Sequence, residues 1–532
     1  MATTTELNRA GLPYFVVVDA DITQSDRAVL ERNGLHYRVE VDSDGNSVAP
    51  GGGNVGGAAL LVGETNGVGI DFSYATDASR VAVKTAGTVV SSGLDNFFQN
   101  SGTTPKLVWG SGGLLEWSPH NLFLNSAVPA TQSVTTIVGM PYTVTVTGSG
   151  SLTGSAGAAG VATAGSPLIF VATTTTSTFT LAGSLTQIQM NMGRTATAYL
   201  STTAARRYGL AIDYDPVLGP TWLIENTITN ICLWASDMTN AAWVKTNMTT
   251  ALTATGPMGN ANSATTVTAT AANATALQAI TNASSVKITS VFLKRRTGTG
   301  NVDITQDNGT TWATQAITSS WARYVIAEAT VLNPTIGIRL ATSGDAVDVA
   351  FWQCENSVVA RSVTSPFPTF SVTQNRLADN YTFLLSTIPP LGAEYSMYVR
   401  FAVATPALLS QAAVALTDGT ANEQSKLAFS SNTFRLQVLD GGTFTGSVTG
   451  PAVVANTLTS AAARIKLNDF ALSVNGGAVG TDVAGTLPTV TETRFGGIGT
   501  NVATSNVFRL NKLVIVTDRG WNDATLIAKG AT

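Results

Sequence analysis

At 532 residues the chain exceeds what one hydrophobic core organises, and its length predicts about three or four domains. Charged residues make up 12 %, against about 25 % in an ordinary soluble domain, and the formal net charge of −4 excludes the basic footprint of a nucleic-acid binder. No run reaches about 18 consecutive apolar residues, and Met1 to Glu6 lacks the basic and apolar stretches of a signal peptide, so cytoplasmic synthesis without membrane insertion is expected.

Gly, Thr, Ser, Ala and Val dominate, a mixture of pleated-surface and turn residues that reads as mainly β. A weakly charged, Thr-rich surface also suits a protein that lives in an assembly. Pro13 to Val18 is an apolar run of strand length. Ser25, Asp26 and the pair Asn33, Gly34 predict a short helix over about 26–33. His36 to Val41 alternates as a strand, and Asp44, Gly45 is a turn signal. Asp42 to Asn46 has the acids of a calcium loop, but Ser47 and Gly53 stand where such a loop needs Gly and Glu, so no metal site is assigned. Gly51 to Gly53 is a joint, which makes residues 1–54 a small α+β head.

From about residue 55 the texture is strand and turn, through Ile70 to Lys84, Leu107 to Trp109 and the Thr/Val/Gly-rich stretch 130–186. A short phrase then repeats. Leu114, Leu115, Glu116 precede Asn121, Leu122, Leu124, and the same pattern recurs 109 residues on at Leu223, Ile224, Glu225 and Asn230, Ile231, Leu233. The copies close alike, with Gln189 ahead of Thr197 to Tyr199 in the first and Gln353 ahead of Arg361 to Val363 in the second. Matched openings and closings define a duplicated module. Pro366, Pro368, Pro389 and Pro390 punctuate a boundary. Beyond it come strand-like runs Tyr395 to Ala402, Lys426 to Phe429, Phe434 to Leu439, Ala463 to Leu467 and Phe508 to Thr517. Val474 to Gly477 reads as a hairpin turn, and Asp523 to Lys529 as a closing helix.

Catalysis has little to stand on. The two histidines, His36 and His120, lack any triad or metalloprotease context, and Thr229 replaces His120 in the second copy, so both read as structural. Glu116 and Glu225 hold equivalent places in the repeated phrase, which favours strand-junction carboxylates over a duplicated acid. Asp213, Asp215, Asp303 and Asp307 fit turns, and Lys294 to Arg296 a solvated strand end. Cys232 and Cys354 read as small buried residues, with a disulfide joining the module's terminal strands as the alternative. Trp243 and the pair Trp321, Tyr324 read as packing residues. Trp312, after Asp307 to Gly309, is the candidate ligand-binding side chain, because an exposed indole face stacks on a sugar ring. No cofactor is expected.

The stretch Ile212 to Pro216, then Leu223 to Glu225, Thr229, Asn230 and Asn240 to Trp243 resembles a phrase that opens jelly-roll domains in phage virion proteins, similar to carbohydrate-binding modules. Ser79 to Val81, Pro105 to Trp109, Trp321 with Tyr324, and Gln353 with Glu355 resemble the same family. Leu472 to Gly476 and Phe495 to Gly499 resemble a concanavalin or laminin-G sandwich. The likeness spans about 70–532, with departures at Asn191 and Arg361.

It implies tandem β-sandwich (jelly-roll) domains divided as an attachment segment at 1–54, modules at 55–212 and 213–368, and a sandwich at 369–532. It also implies a non-enzymatic virion structural protein, docked on other virion proteins by its N-terminal segment, self-associated as a homotrimer and reading a host surface glycan. The alternatives are a decoration, head-fibre or collar protein and, further off, a glycan depolymerase.

Overall fold

A computed structural model describes residues 56–73, 80–92, 97–100, 104–357, 362–379, 381–404, 411–495 and 507–531, together with the backbone of four strands before them. Those four, Thr3–Arg9, Leu12–Val18, Arg27–Arg32 and Leu35–Glu40, pair in sequence order as an antiparallel meander. The helix expected over 26–33 is therefore the third strand. Pairing on both sides, Val16 with Leu30 and Leu30 with Tyr37, overrides the local helix signals. Ser25, Asp26, Asn33, Gly34, the loop at Asp42 to Asn46, the joint at Gly51 to Gly53, Ser79, Arg361 and Gly496 to Gly499 lie outside the described residues.

The remainder is mainly β, in antiparallel sandwiches. The strand runs expected near the C-terminus form as Glu394–Val403, Gln424–Ser430, Thr433–Asp440, Thr459–Lys466 and Phe508–Val516. Their sheet, however, reaches far back in sequence. Phe508–Val516 pairs on one side with Glu394–Val403. On the other it pairs with Gly67–Asp71 (Val516 with Gly67) and, further along, with Gly219–Ile224 (Leu510 with Trp222). The facing sheet likewise takes Gln99–Asn100 beside Tyr381–Leu384. The core explains this recruitment. The fully buried Trp222 ring lies 5.4 Å from Phe72, 5.1 Å from Phe98, 5.0 Å from Tyr381 and 5.1 Å from Phe495, rings from four other parts of the chain. Each such ring contributes roughly 1.5–3 kcal/mol by leaving water.

Beside the expected division at 55, 213 and 369 stands a pairing that runs across it. The strands Gly67–Asp71, Val81–Thr85, Thr88–Ser92, Gln99–Asn100, Ile212–Asp215 and Gly219–Ile224 pair within the C-terminal sandwich, and the repeats leave and re-enter it as insertions. The two necks are clamped together. Lys106 Nζ donates to Leu223 O (2.6 Å) and pairs with Asp379, while Asp379 Oδ2 also accepts from Glu225 N (2.7 Å). Arg376 Nη1 meets Glu225 Oε2 at 2.5 Å, and Glu225 accepts from Ser365 N (2.6 Å) and Oγ (2.7 Å). All four charges are buried. Burial pushes the Lys106 ammonium down and the Asp379 carboxyl up. Burial also acts to raise Glu225, but Arg376, Lys106 and Ser365 outweigh it and hold that carboxyl below its ordinary value.

Each repeat carries the same buried asparagine clasp. Asn121 Nδ2 donates to Ile188 O (3.0 Å) and Leu200 O (2.8 Å), and its Oδ1 accepts from Phe123 N and Met190 N. Asn230 Nδ2 donates to Trp352 O (3.1 Å) and Phe367 O (3.0 Å), and its Oδ1 accepts from Cys232 N and Cys354 N. Gln189 and Gln353 reinforce the closings, taking Leu200 N and Phe367 N (both 2.8 Å). The duplicated phrase thus ties the first strand of a module to its last. Cys232 and Cys354 are free and buried, their amides sharing one Asn230 oxygen.

The first repeat is built on the antiparallel pair Pro141–Ser155 and Thr176–Met192, the second on two packed sheets around Trp243 and Trp352. The first repeat's core runs on into the second through Ala254, Phe292, Ala350, Phe351 and Phe367. The expected closing helix forms at Asp523–Gly530, where Asn522 Oδ1 accepts from Thr525 N (2.9 Å).

Candidate functional site

Trp312 is half-buried: the Arg339 guanidinium, itself paired with Asp303 at 2.8 Å, lies 4.5 Å from its ring centroid, and the turn at Gly309 runs beside it. Asp307 anchors that turn through Thr305 Oγ1 (2.8 Å) and Thr311 N (2.9 Å). Trp243 is core, and Trp321 spends its indole N–H on Thr255 O (3.2 Å).

The two glutamates of the repeated phrase part company. Glu225 is buried in the neck, whereas Glu116 is exposed beside Gly110, with its carboxyl raised by partial burial. His120 is sealed in the first repeat. Its Nδ1–H donates to Ser118 O (2.7 Å) and its Nε2 accepts from Met192 N (2.7 Å), so the ring is neutral and burial lowers its pKa to about 4. Arg295 and Arg296, at the basic strand end, are tied to Asp345 (3.2 Å) and Asp348 (2.8 Å).

A cleft of about 220 Å³ opens where the two repeats meet. Its floor is the shared core at Trp117, Met140 and Phe351. Gly139 and Gly193 allow the walls to close on it. Both have left-handed backbone (φ 90° and 95°), and a Cβ would lie 2.7 Å from Phe370 or 2.6 Å from Trp117. The far wall is Trp234 and Phe370, joined by Trp234 N donating to Phe370 O (2.9 Å).

Two aromatic residues of this cleft sit in strained backbone, Trp234 at φ 50° and Phe351 at φ 49°. For bulky side chains that region is an outlier held by its surroundings, and such strain gathers at ligand clamps. Here the restraints are explicit: Asp237 N donates to Trp234 O (3.1 Å), Trp243 Nε1 to Trp234 O (3.3 Å) and Phe351 N to Ser236 Oγ (2.9 Å).

The polar rim has hydrogen-bonding capacity to spare. Among the described residues, the Arg194 guanidinium and the side-chain amides of Asn260 and Asn262 have no protein partner. Asp237 Oδ1 is taken by Thr239 N (3.0 Å) and Oγ1 (2.5 Å), which leaves its second oxygen. The buried Thr369 hydroxyl in the wall is also unsatisfied. A second hollow of about 360 Å³, along Glu116 and Thr195 to Ala198, shares Trp117 and Met258 with the cleft and lengthens it into a groove. Aromatic walls with unspent amide, carboxylate and guanidinium groups suit a ligand with an apolar face and polar edges.

Sequence reading missed Trp234, Phe370 and Arg194. The repeat itself carried a signal for the first, since Trp234 falls 109 positions after Asn125. Nothing local marked Arg194 or Phe370, which lie 176 positions apart and come together only through packing. No group of three or more potential metal ligands comes together among the described residues, nor is any helix there long and apolar enough to cross a membrane.

No family model and no curated protein matches the chain. Solved structures with partial likeness include a Ruminococcus gnavus sialidase module, CBM40, bound to α2,3-sialyllactose, at 14 % identity and TM-score 0.22, covering 25 % of this chain and 81 % of that one. The CBM22 tandem of Paenibacillus barcinonensis Xyn10C matches at 9 % identity and TM-score 0.19, covering 52 % and 93 %. Domains LG4-5 of the mouse laminin α1 chain match at 9 % and 0.19, covering 48 % and 88 %. Likeness at this level leaves the functional reading to the site itself.

Proposed function

We propose that this chain is a non-enzymatic structural protein of a bacteriophage particle whose inserted β-sandwich repeats bind a saccharide on the host surface. The observation that carries the saccharide reading is the inter-repeat cleft. Trp234 and Phe351 are held there in strained backbone, inside a rim of unspent polar groups. The C–H face of a pyranose stacks on an aromatic ring while its hydroxyls take amides and carboxylates.

The particle setting rests on the resemblance of the repeated phrase and on a composition suited to assembly. In that setting the N-terminal segment docks on other virion proteins, three copies associate, and weak single sites are multiplied by avidity. The clamped necks at Lys106, Asp379, Glu225 and Arg376 favour a stiff projection. That stiffness equally serves the second reading, a decoration, head-fibre or collar protein with a mainly structural duty.

Glycan-array binding of the full chain, repeated with Trp234→Asn, tests the saccharide reading: binding lost in the variant is expected, and no binding by the parent chain overturns it. Antibody against the C-terminal sandwich, applied to assembled particles, separates tail tip from capsid. A reducing-sugar assay on bound polysaccharide is expected to stay blank, and release of sugar would establish a depolymerase instead.

A further inference from the structure

We propose that the unit held in the inter-repeat cleft is a carboxylated sugar, its ring against Trp234 and Phe370 and its carboxylate on the guanidinium of Arg194. This rests on the reading of the cleft as a saccharide site and names the class of sugar.

Arg295, Arg296, Arg339, Arg376 and Arg464 each hold an Asp or Glu within 3.2 Å. Arg206, Arg400 and Arg435 hold none among the described residues, and neither does Arg194. It follows Gly193, whose left-handed turn closes on Trp117, and it is exposed at the cleft with no partner among the described residues. Guanidinium binds carboxylate in a two-pronged, planar geometry that hydroxyls cannot match.

The rest of the site fits the remainder of such a ligand. At about 220 Å³ the cleft is smaller than the about 300–1,000 Å³ of drug-sized sites, which suits one ring or a chain end. Asn260 and Asn262 offer amides to ring hydroxyls, and the open oxygen of Asp237 accepts from one. The adjoining hollow along Thr195 to Ala198 gives a neighbouring sugar a path outward.

Titration calorimetry of the full chain with trigalacturonate and with 3′-sialyllactose, each against its carboxyl-reduced form, tests the inference. Reduction of the carboxyl is expected to weaken binding of at least one of the two by tenfold or more. Arg194→Gln is expected to abolish that preference while leaving the melting temperature unchanged. Equal affinity for acid and reduced forms, or a preference that survives Arg194→Gln, overturns the carboxylate assignment and leaves the saccharide site standing. If neither form of either sugar, nor any neutral glycan, binds in a manner sensitive to Trp234→Asn, the saccharide reading falls with it.

Discussion

Trp234 in the second repeat stands where Asn125 stands in the first. Both have left-handed backbone, φ 50° and 48°, and each amide donates to the module's closing segment, Trp234 N to Phe370 O and Asn125 N to Thr203 O. Asparagine enters that region at little cost, while an indole there is strained. The duplication therefore shows what the backbone needs at this place, and the tryptophan exceeds it. Trp234→Asn is expected to leave stability within about 1 kcal/mol of the parent, because strain relief offsets lost ring contacts, while saccharide binding falls at least tenfold. Paired melting curves and binding isotherms check it. A large loss of stability would mean that the ring is packing and not a ligand platform.

The asparagine clasps are expected to be worth far more than surface amides. Asn230→Ala leaves the carbonyls of Trp352 and Phe367 and the amides of Cys232 and Cys354 short of a partner inside the core. Orphaned buried groups cost about 1–3 kcal/mol each at most, and partial relaxation makes a total of roughly 2–4 kcal/mol reasonable. Urea denaturation of Asn230→Ala and Asn121→Ala should show similar losses. A loss near zero in either would break the equivalence of the repeats.

At the neck, Lys106→Met leaves the Asp379 carboxyl opposite a thioether at full burial. Removing one partner of a buried pair costs about 3–5 kcal/mol, while replacing both with apolar groups is often neutral. The double variant Lys106→Met, Asp379→Leu is expected to recover at least half of the single variant's loss, read from urea midpoints. Equal losses would show that Asp379 serves chiefly through its bond to Glu225 N.

His120 predicts the acid limb of stability. Its folded pKa, about 4, lies below the ordinary value of 6.5, so the unfolded chain binds the extra proton between them. Its contribution is complete above about pH 6.5 and is lost as pH falls toward about 4, a gap of roughly 3 kcal/mol. Protonation would put a hydrogen on Nε2, which now accepts from Met192 N. Denaturation midpoints at pH 7, 6, 5 and 4.5 should fall in the parent and flatten in His120→Gln. An equal fall in both would assign the acid limb to carboxylates.

Much of the local structure was legible before any coordinates. The strand periodicity around Tyr395 and Phe508, the closing helix at Asp523 to Lys529 and the matched phrases at Asn121 and Asn230 are short-range patterns, and each matches its element. The helix over 26–33 was misread because capping signals are local and strand pairing is not. Glu116 and Glu225 looked alike in sequence, yet only Glu225 has Arg376 folded over it from 151 residues away.

By itself, the sequence determined that the chain is mainly β and that a phrase with its asparagine recurs 109 residues on, because backbone propensity and duplication are written in neighbouring residues. Only the tertiary structure decided that both copies are insertions into a single sandwich, since Trp222 finds its ring partners in segments up to 273 residues away. It also decided that Arg339 lies over Trp312 and that Trp234, Phe370 and Arg194 line one cleft. Those outcomes depend on packing between distant surfaces, which no local pattern encodes.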